Sequence, residues 1–315
     1  MRKLFNLIAI TLVLLTFLAA GCSSGTSATS AANKGPITVG SKIDTEGSLL
    51  SQMIILVLRN NGFQVNDKSQ FGTTDIVRKA IISGELDMYP EYTGNGAFFF
   101  NEADSSVWKN AQQGYDRVKA LDKQQNNIVW LTPAPANNTW AIAVPKTLAD
   151  KEKLVSLADF AAYVNRGGTV KLIGSDEFIT SKAALPAFED AYGFTLKADQ
   201  LLSVASGNTA QTEEAASKGT NGVNAAMAYG TDGDLSAFGL VVLSDPKGAQ
   251  PVYEPCPIIR GEVYDKYPEI GTVLAPVFKG LDLVTLQTLN AKIAVEGQVP
   301  VNVARTYLQQ KGFLK

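Results

Sequence analysis

Asp87-Met88-Tyr89-Pro90-Glu91-Tyr92-Thr93-Gly94-Asn95-Gly96 is the stretch whose reading decides the fold. The run before it, Ile81-Ile82-Ser83-Gly84-Glu85-Leu86, reads as a helix end, a glycine turn and the start of a short buried strand. Pro90 has no N–H to give a ladder, so strand pairing is expected to stop there, and it biases Tyr89 toward extended geometry. Gly94 and Gly96 let the backbone turn or approach a neighbour closely. Thr93 and Asn95 are expected to cap a helix running into Ala97-Phe98-Phe99-Phe100. Tyr92 then falls at a strand-to-helix mouth, where open α/β sheets bind small ligands. The plainer alternative at this point is an ordinary βα loop.

Upstream, a strand is expected over 37–40. Asp44 or Thr45 caps a helix in which Leu49, Leu50, Met53, Ile54, Val57 and Leu58 recur at helical spacing, and Gly62 ends it. A second strand over 63–65, a helix capped by Thr74 and ending at Gly84, and a third strand over 86–89 complete a βαβαβ pattern. That pattern implies a parallel sheet with helices on its faces. Downstream come an amphipathic helix over 105–125, a strand over 128–131, a stiff polar connector over 132–139 and a strand over 140–145.

A second α/β unit follows, with helices over 157–164, 184–192 and 209–217 and strands over 170–173, 223–227 and 240–243. Gly230-Thr231-Asp232-Gly233 is expected to start a short helix. Three late helices, over 268–278, 282–296 and 300–312, bring no strands of their own and are expected on the first sheet. The organisation is therefore α/β in two lobes. The first is built from both chain ends, 36–140 and 245–315, and the second from 141–244. Two crossings, near 140–145 and 240–246, join them, and a cleft between lobes is a common ligand site.

The chain has 315 residues, 45% hydrophobic and 18% charged, which is globular. No stretch is strongly basic, so nucleic acid is not expected as a partner. There is no histidine, which removes His-based triads, His zinc sites and a His general base. No Gly-x-Ser-x-Gly, Walker A or metal-ligand pattern occurs, so neither an enzyme nor a metal or cofactor is expected.

Arg2 and Lys3 form a basic n-region, residues 4–18 an apolar h-region, and Leu18-Ala19-Ala20-Gly21-Cys22 a run of small residues ending in Cys. This is a secretory signal over 1–21. Without it, 26 basic side chains face 30 acidic ones, because only Arg2 and Lys3 are lost. The motif resembles the lipobox of bacterial lipoproteins, which implies lipid on Cys22. The Ser/Thr/Gly-rich segment over 22–35 then reads as a flexible tether. With Cys22 lipidated, Cys256 has no partner and is expected as a small buried packing residue, the alternative being a reactive thiol.

Four aromatics stand at the edges of expected strands: Tyr92, Trp140, Tyr229 and Tyr253. Singly, each is core or turn packing. Together they point to an aromatic cage, because a quaternary ammonium has no N–H and is held by ring faces, at about 0.5–2 kcal/mol per ring. A carboxylate on the same ligand needs Lys or N–H donors, and Lys42, at a strand end before a helix N-terminus, is suited to it. The alternative for Lys42 is a solvated surface lysine.

These residues resemble a known family from about residue 36 to the C-terminus. Gly40-Ser41-Lys42 with Thr45-Glu46, Tyr89-Pro90-Glu91-Tyr92-Thr93-Gly94, Asn138-Thr139-Trp140-Ala141, Tyr229-Gly230-Thr231-Asp232 and Tyr253 with Pro257 occur in family order. The chain is similar to the substrate-binding proteins of osmoprotectant-uptake ABC transporters, which bind glycine betaine, choline, carnitine or proline. The likeness is greatest to the periplasmic branch with low affinity for glycine betaine.

The resemblance implies a two-lobed Venus-flytrap fold of type II-like topology. It implies a cage at Tyr92, Trp140, Tyr229 and Tyr253, carboxylate contacts at Lys42 and Asn95, and a box residue at Asn138. With Glu177, these make the candidate set. Gly47 replaces a frequent Gln, and Ser181 a frequent Arg that helps hold the lobes closed, which implies modest affinity. The implied partners are a small osmolyte, permease and ATPase subunits and, through Cys22, a membrane. The protein is expected to be an exported monomer. Another small solute such as choline, or a sensory ligand-binding lobe, is the alternative.

Overall fold

The computed structural model describes residues 34–205 and 208–314, so the signal, Cys22 and most of the tether lie outside the described residues. Among the described residues, ten strands form two five-stranded sheets. They are β1 (Lys34–Lys42), β2 (Phe63–Gly72), β3 (Met88–Tyr92), β4 (Ile128–Trp130), β5 (Trp140–Pro145), β6 (Leu172–Ser175), β7 (Leu201–Val204), β8 (Ala225–Tyr229), β9 (Leu240–Val242) and β10 (Pro255–Arg260). The first sheet runs β2-β1-β3-β10-β4 and the second β7-β6-β8-β5-β9. The chain passes between them twice, after β4 and again before β10.

The expected βαβαβ unit is present: β1 pairs parallel with both β2 and β3. Its first helix, Thr45–Asn60, starts at Asp44, whose carboxylate accepts the Gly47 N–H. That helix is buried from Glu46 to Leu58 because the sheet covers one side and the C-terminal helices the other. Leu274, Phe278, Leu286, Val303 and Leu308 share its core cluster with Ile37, Val39 and Met88 of the sheet. The late helices thus join the first sheet's core through this helix.

Three local expectations are corrected. Pro90 does not stop pairing: β3 runs through it, antiparallel to β10, with Pro90 opposite Pro257. Two residues without N–H tolerate that position because alternate antiparallel pairs exchange no hydrogen bond. The β1 side loses nothing, since β1 pairs with β3 only through Met88. The 105–125 helix is divided into a 3₁₀ turn, Ser106–Lys109, and a helix, Ala111–Asn126, because the Asn110 side chain caps the second piece. No helix starts at Gly230. Asp232 Oδ2 takes the Tyr229 N–H at 2.6 Å and makes a turn instead. The strand Leu201–Val204 and the helices Lys146–Glu152 and Asp176–Thr180 were not anticipated.

Cys256 lies in the middle of the first sheet with no exposed surface, and it is unpaired among the described residues. No helix among them is long and apolar enough to cross a membrane.

A buried ion pair fixes the layer under the 87–96 stretch. Arg78 Nη1 and Nη2 donate to Asp122 Oδ2 and Oδ1 at 2.8 and 2.6 Å. Trp130 Nε1 and Asn126 Nδ2 also donate to Asp122, and the guanidinium lies 4.3 Å from the centroid of the Phe99 ring. Removing one partner strands the other charge away from water. Asp122→Ala is expected to cost about 3–5 kcal/mol in urea unfolding. A loss below about 1 kcal/mol would show that water reaches Arg78.

Candidate functional site

The eight sequence-predicted residues converge. Lys42, Tyr92, Asn95, Asn138, Trp140, Glu177, Tyr229 and Tyr253 all line one cleft of about 320 Å³. Six sit at strand ends and on the crossings, and Asn95 and Glu177 in the short helical segments that follow β3 and β6. Lys42 ends β1, Tyr92 ends β3, Trp140 opens β5 and Tyr229 ends β8. Asn138 and Tyr253 lie on the two connections between sheets, which are bonded to each other: Asn138 N–H donates to Tyr253 O, and Tyr253 N–H to Asn137 Oδ1, both at 2.9 Å.

Strand register brings the rings together. Trp140 is the direct partner of Tyr229 across β5 and β8. Their rings are 6.5 Å apart between centroids and inclined by 22°. Tyr253 stands 5.7 Å from Trp140, and Phe178 backs Trp140 edge-on at 6.2 Å. Gly94 is required by close approach: a Cβ there would lie 2.7 Å from the Tyr253 ring. Burial pushes the Tyr92, Tyr229 and Tyr253 hydroxyls up, so all three rings are neutral phenols.

Two buried carboxylates organise the cleft floor. Glu91 Oε1 accepts from Lys42 Nζ at 2.6 Å, Asn95 Nδ2 at 2.6 Å and Tyr92 N–H at 2.8 Å. Glu91 Oε2 accepts from Tyr89 OH at 2.7 Å. Lys42 is therefore no surface lysine: it is buried, and its ammonium also lies 4.8 Å from the centroid of the Tyr92 ring. Asn95 does not cap the helix Gly96–Phe99, since its amide is drawn to Glu91. Glu46 accepts from Tyr92 OH at 3.0 Å and from Asn138 and Asn290 at 2.7 Å each. Burial raises the Glu46 pKa, and side-chain hydrogen bonds from Thr231, Asn138 and Asn290 oppose the rise.

Sequence reasoning missed Asp44, Asp75 and Asp176, which line the same cleft. All three stand at or next to helix starts, and that was their visible signal. With Glu177 they make the lining acidic. The cleft walls raise the Glu177 pKa by desolvation, and Lys42 opposes this. Ser181 is not among the lining residues. It ends the helix Asp176–Thr180, with its hydroxyl accepting from Ala183 N–H.

Behind Tyr229, Glu213 has no exposed surface, and neither of its oxygens meets a donor among the described residues other than carboxyl groups. Burial, then the charge of Asp232, pushes its pKa far up, so it keeps its proton. The unfolded chain releases that proton near 4.5. Unfolding then releases a proton, and stability falls as pH rises above that value, by up to about 1.4 kcal/mol per pH unit. Glu213→Gln should flatten this decline between about pH 5 and about pH 8 and raise the urea midpoint at the alkaline end. Parallel curves for the two proteins would show that Glu213 is ionised in the fold.

A two-sheet α/β chain with a ring-lined cleft between its crossings has the anatomy of a solute-binding protein. Over residues 35–310 it matches the family described as the substrate-binding domain of ABC-type glycine betaine transport systems, and it belongs to that family. Family members are extracytoplasmic transport proteins that work with permease and ATPase subunits.

The chain is 59% identical over 280 residues to the glycine betaine-binding protein YehZ of Escherichia coli, covering 89% of this chain and 92% of that protein. A solved structure of apo YehZ from the same organism aligns with a TM-score of 0.69, covering 89% of this chain and 99% of the other. A glycine-betaine-binding protein of Pseudomonas aeruginosa is 31% identical, covering 88% of each chain.

Proposed function

We propose that this chain captures a quaternary-ammonium compatible solute, glycine betaine first among them, and delivers it to the membrane subunits of an ABC importer. The observation that carries the reading is the convergence of Trp140, Tyr229 and Tyr253 on one cleft, with Tyr92 at its inner end. Ring faces hold a cation that cannot donate hydrogen bonds. The acidic lining adds long-range attraction for the same charge. On this reading the protein is a monomeric binder and not an enzyme. Its ligand-binding residues are Lys42, Tyr92, Asn95, Asn138, Trp140, Glu177, Tyr229 and Tyr253. The lobes, 36–140 with 245–315 and 141–244, close around the solute.

Calorimetry with glycine betaine tests the cage. Trp140→Ala and Tyr253→Ala should each weaken binding about tenfold, and the Phe variants by clearly less, because a ring face remains. Equal losses from Ala and Phe would assign the contact to the indole N–H or the phenol hydroxyl.

The signal and tether at the N-terminus support a lipid anchor on Cys22, outside the described residues. Cys22→Ala should move the protein from the membrane to the soluble fraction with its ligand affinity unchanged. A variant still held by membranes would rule out the acyl anchor.

A further inference from the structure

The turn that follows Tyr229 is gripped from outside its own sheet. Tyr229 ends β8, and Asp232 closes the turn by taking the Tyr229 N–H on Oδ2. On one side the turn meets the first crossing. Gly230 N–H donates to Thr139 O at 2.9 Å, and the Thr231 hydroxyl accepts from Asn138 Nδ2 at 2.8 Å. On the other side it meets the helix Leu283–Ala294, whose Leu286 and Leu289 are buried in the first sheet's core cluster. Gln287 Nε2 donates to Gly230 O and Asn290 Nδ2 to Thr231 O, both at 3.0 Å.

Gly233 makes that second contact possible. A Cβ there would collide with Gln287 O and Ala291 N, backbone atoms one turn apart on the helix. Helix backbone cannot swing aside as a flexible side chain can, so close approach demands glycine here. A turn of the second sheet thus rests on the backbone of a helix that belongs to the first sheet's core. Neither Gly233 nor Gln287 lines the cleft.

We propose that Gly233 and Gln287 are positioning residues of the site. Through the 230–234 turn they set where the Tyr229 ring stands relative to Tyr92, which ends β3 of the first sheet. This rests on the cage reading above. A cage grips only when its rings stand around the same point. A helix lifted off the turn leaves the rings so arranged for a smaller fraction of the time, and apparent affinity falls by that fraction.

The test pairs calorimetry with glycine betaine and urea unfolding on two variants and two references. Gln287→Ala removes one hydrogen bond made by a half-buried side chain and should weaken betaine binding about three- to tenfold. Gly233→Ala pushes the helix away, breaks the Asn290 bond as well and should weaken it at least about tenfold. Leu308→Ala, in the same core cluster but on another helix, should lower the urea midpoint and leave the affinity of the folded protein within about twofold of wild type. Trp140→Ala reads the cage itself. If it weakens binding while Gln287→Ala and Gly233→Ala bind as wild type, the inference is overturned and the cage stands. Leu308→Ala weakening binding as much as Gln287→Ala would also overturn it, because the effect would then follow stability alone. Wild-type affinity in Trp140→Ala would overturn the cage reading and this inference with it. If Gly233→Ala does not fold, Gln287→Ala decides alone.

Discussion

A carboxylate without water must be surrounded by donors, and Glu46 imposes that demand on three distant parts of the chain. It draws the Tyr92 hydroxyl from the end of β3, the Asn138 amide from the first crossing and the Asn290 amide from a C-terminal helix. Glu46 itself lies in the first turn of the first helix. The two chain ends and the connection between sheets thus meet at one side chain. Losing any one donor would cost more than one hydrogen bond, because the acceptor left behind stays buried.

The same hub orients the cleft. Tyr92 can present its ring because its hydroxyl is fixed by Glu46 and its backbone N–H by Glu91. Asn138 passes a second hydrogen bond to the Thr231 hydroxyl, and Asn290 one to the Thr231 carbonyl, two residues beyond Tyr229. The cage rings are therefore not a patch laid over a finished core. Tyr92 is held by polar contacts whose other ends are the buried carboxylates Glu46 and Glu91, and polar networks of this kind specify one arrangement.

The periodic parts of the fold were legible in the sequence. The helical spacing of Leu49 to Leu58 and the glycine at 84, which adopts a positive φ of 82°, placed the two helices of the first βαβαβ unit nearly residue by residue, whereas its strands, Lys34–Lys42, Phe63–Gly72 and Met88–Tyr92, extend beyond the expected spans. The cleft residues were legible because strand-edge aromatics and short motifs are local. The pairings were not. Lys42 and Glu91 are separated by 49 positions, and Glu46 and Asn290 by 244, and nothing in either neighbourhood names the other. Pro90 misled because a proline speaks only for its own N–H, whereas the register that makes the N–H unnecessary is set by Pro257 on a strand far along the chain. The strand Leu201–Val204 escaped notice because it is only half buried, so its apolar alternation is weak.

Cys256 gives the first sheet a built-in clock. Its sulfur sits on β10 between β3 and β4, donates to the Leu131 carbonyl at 3.3 Å, and burial pushes its pKa well up. Alkylating reagents attack thiolates, and this thiol has neither the ionisation nor the access. Reaction must wait until β10 leaves its neighbours. The modification rate of the folded chain therefore counts openings of that sheet and is blind to movements at the cleft.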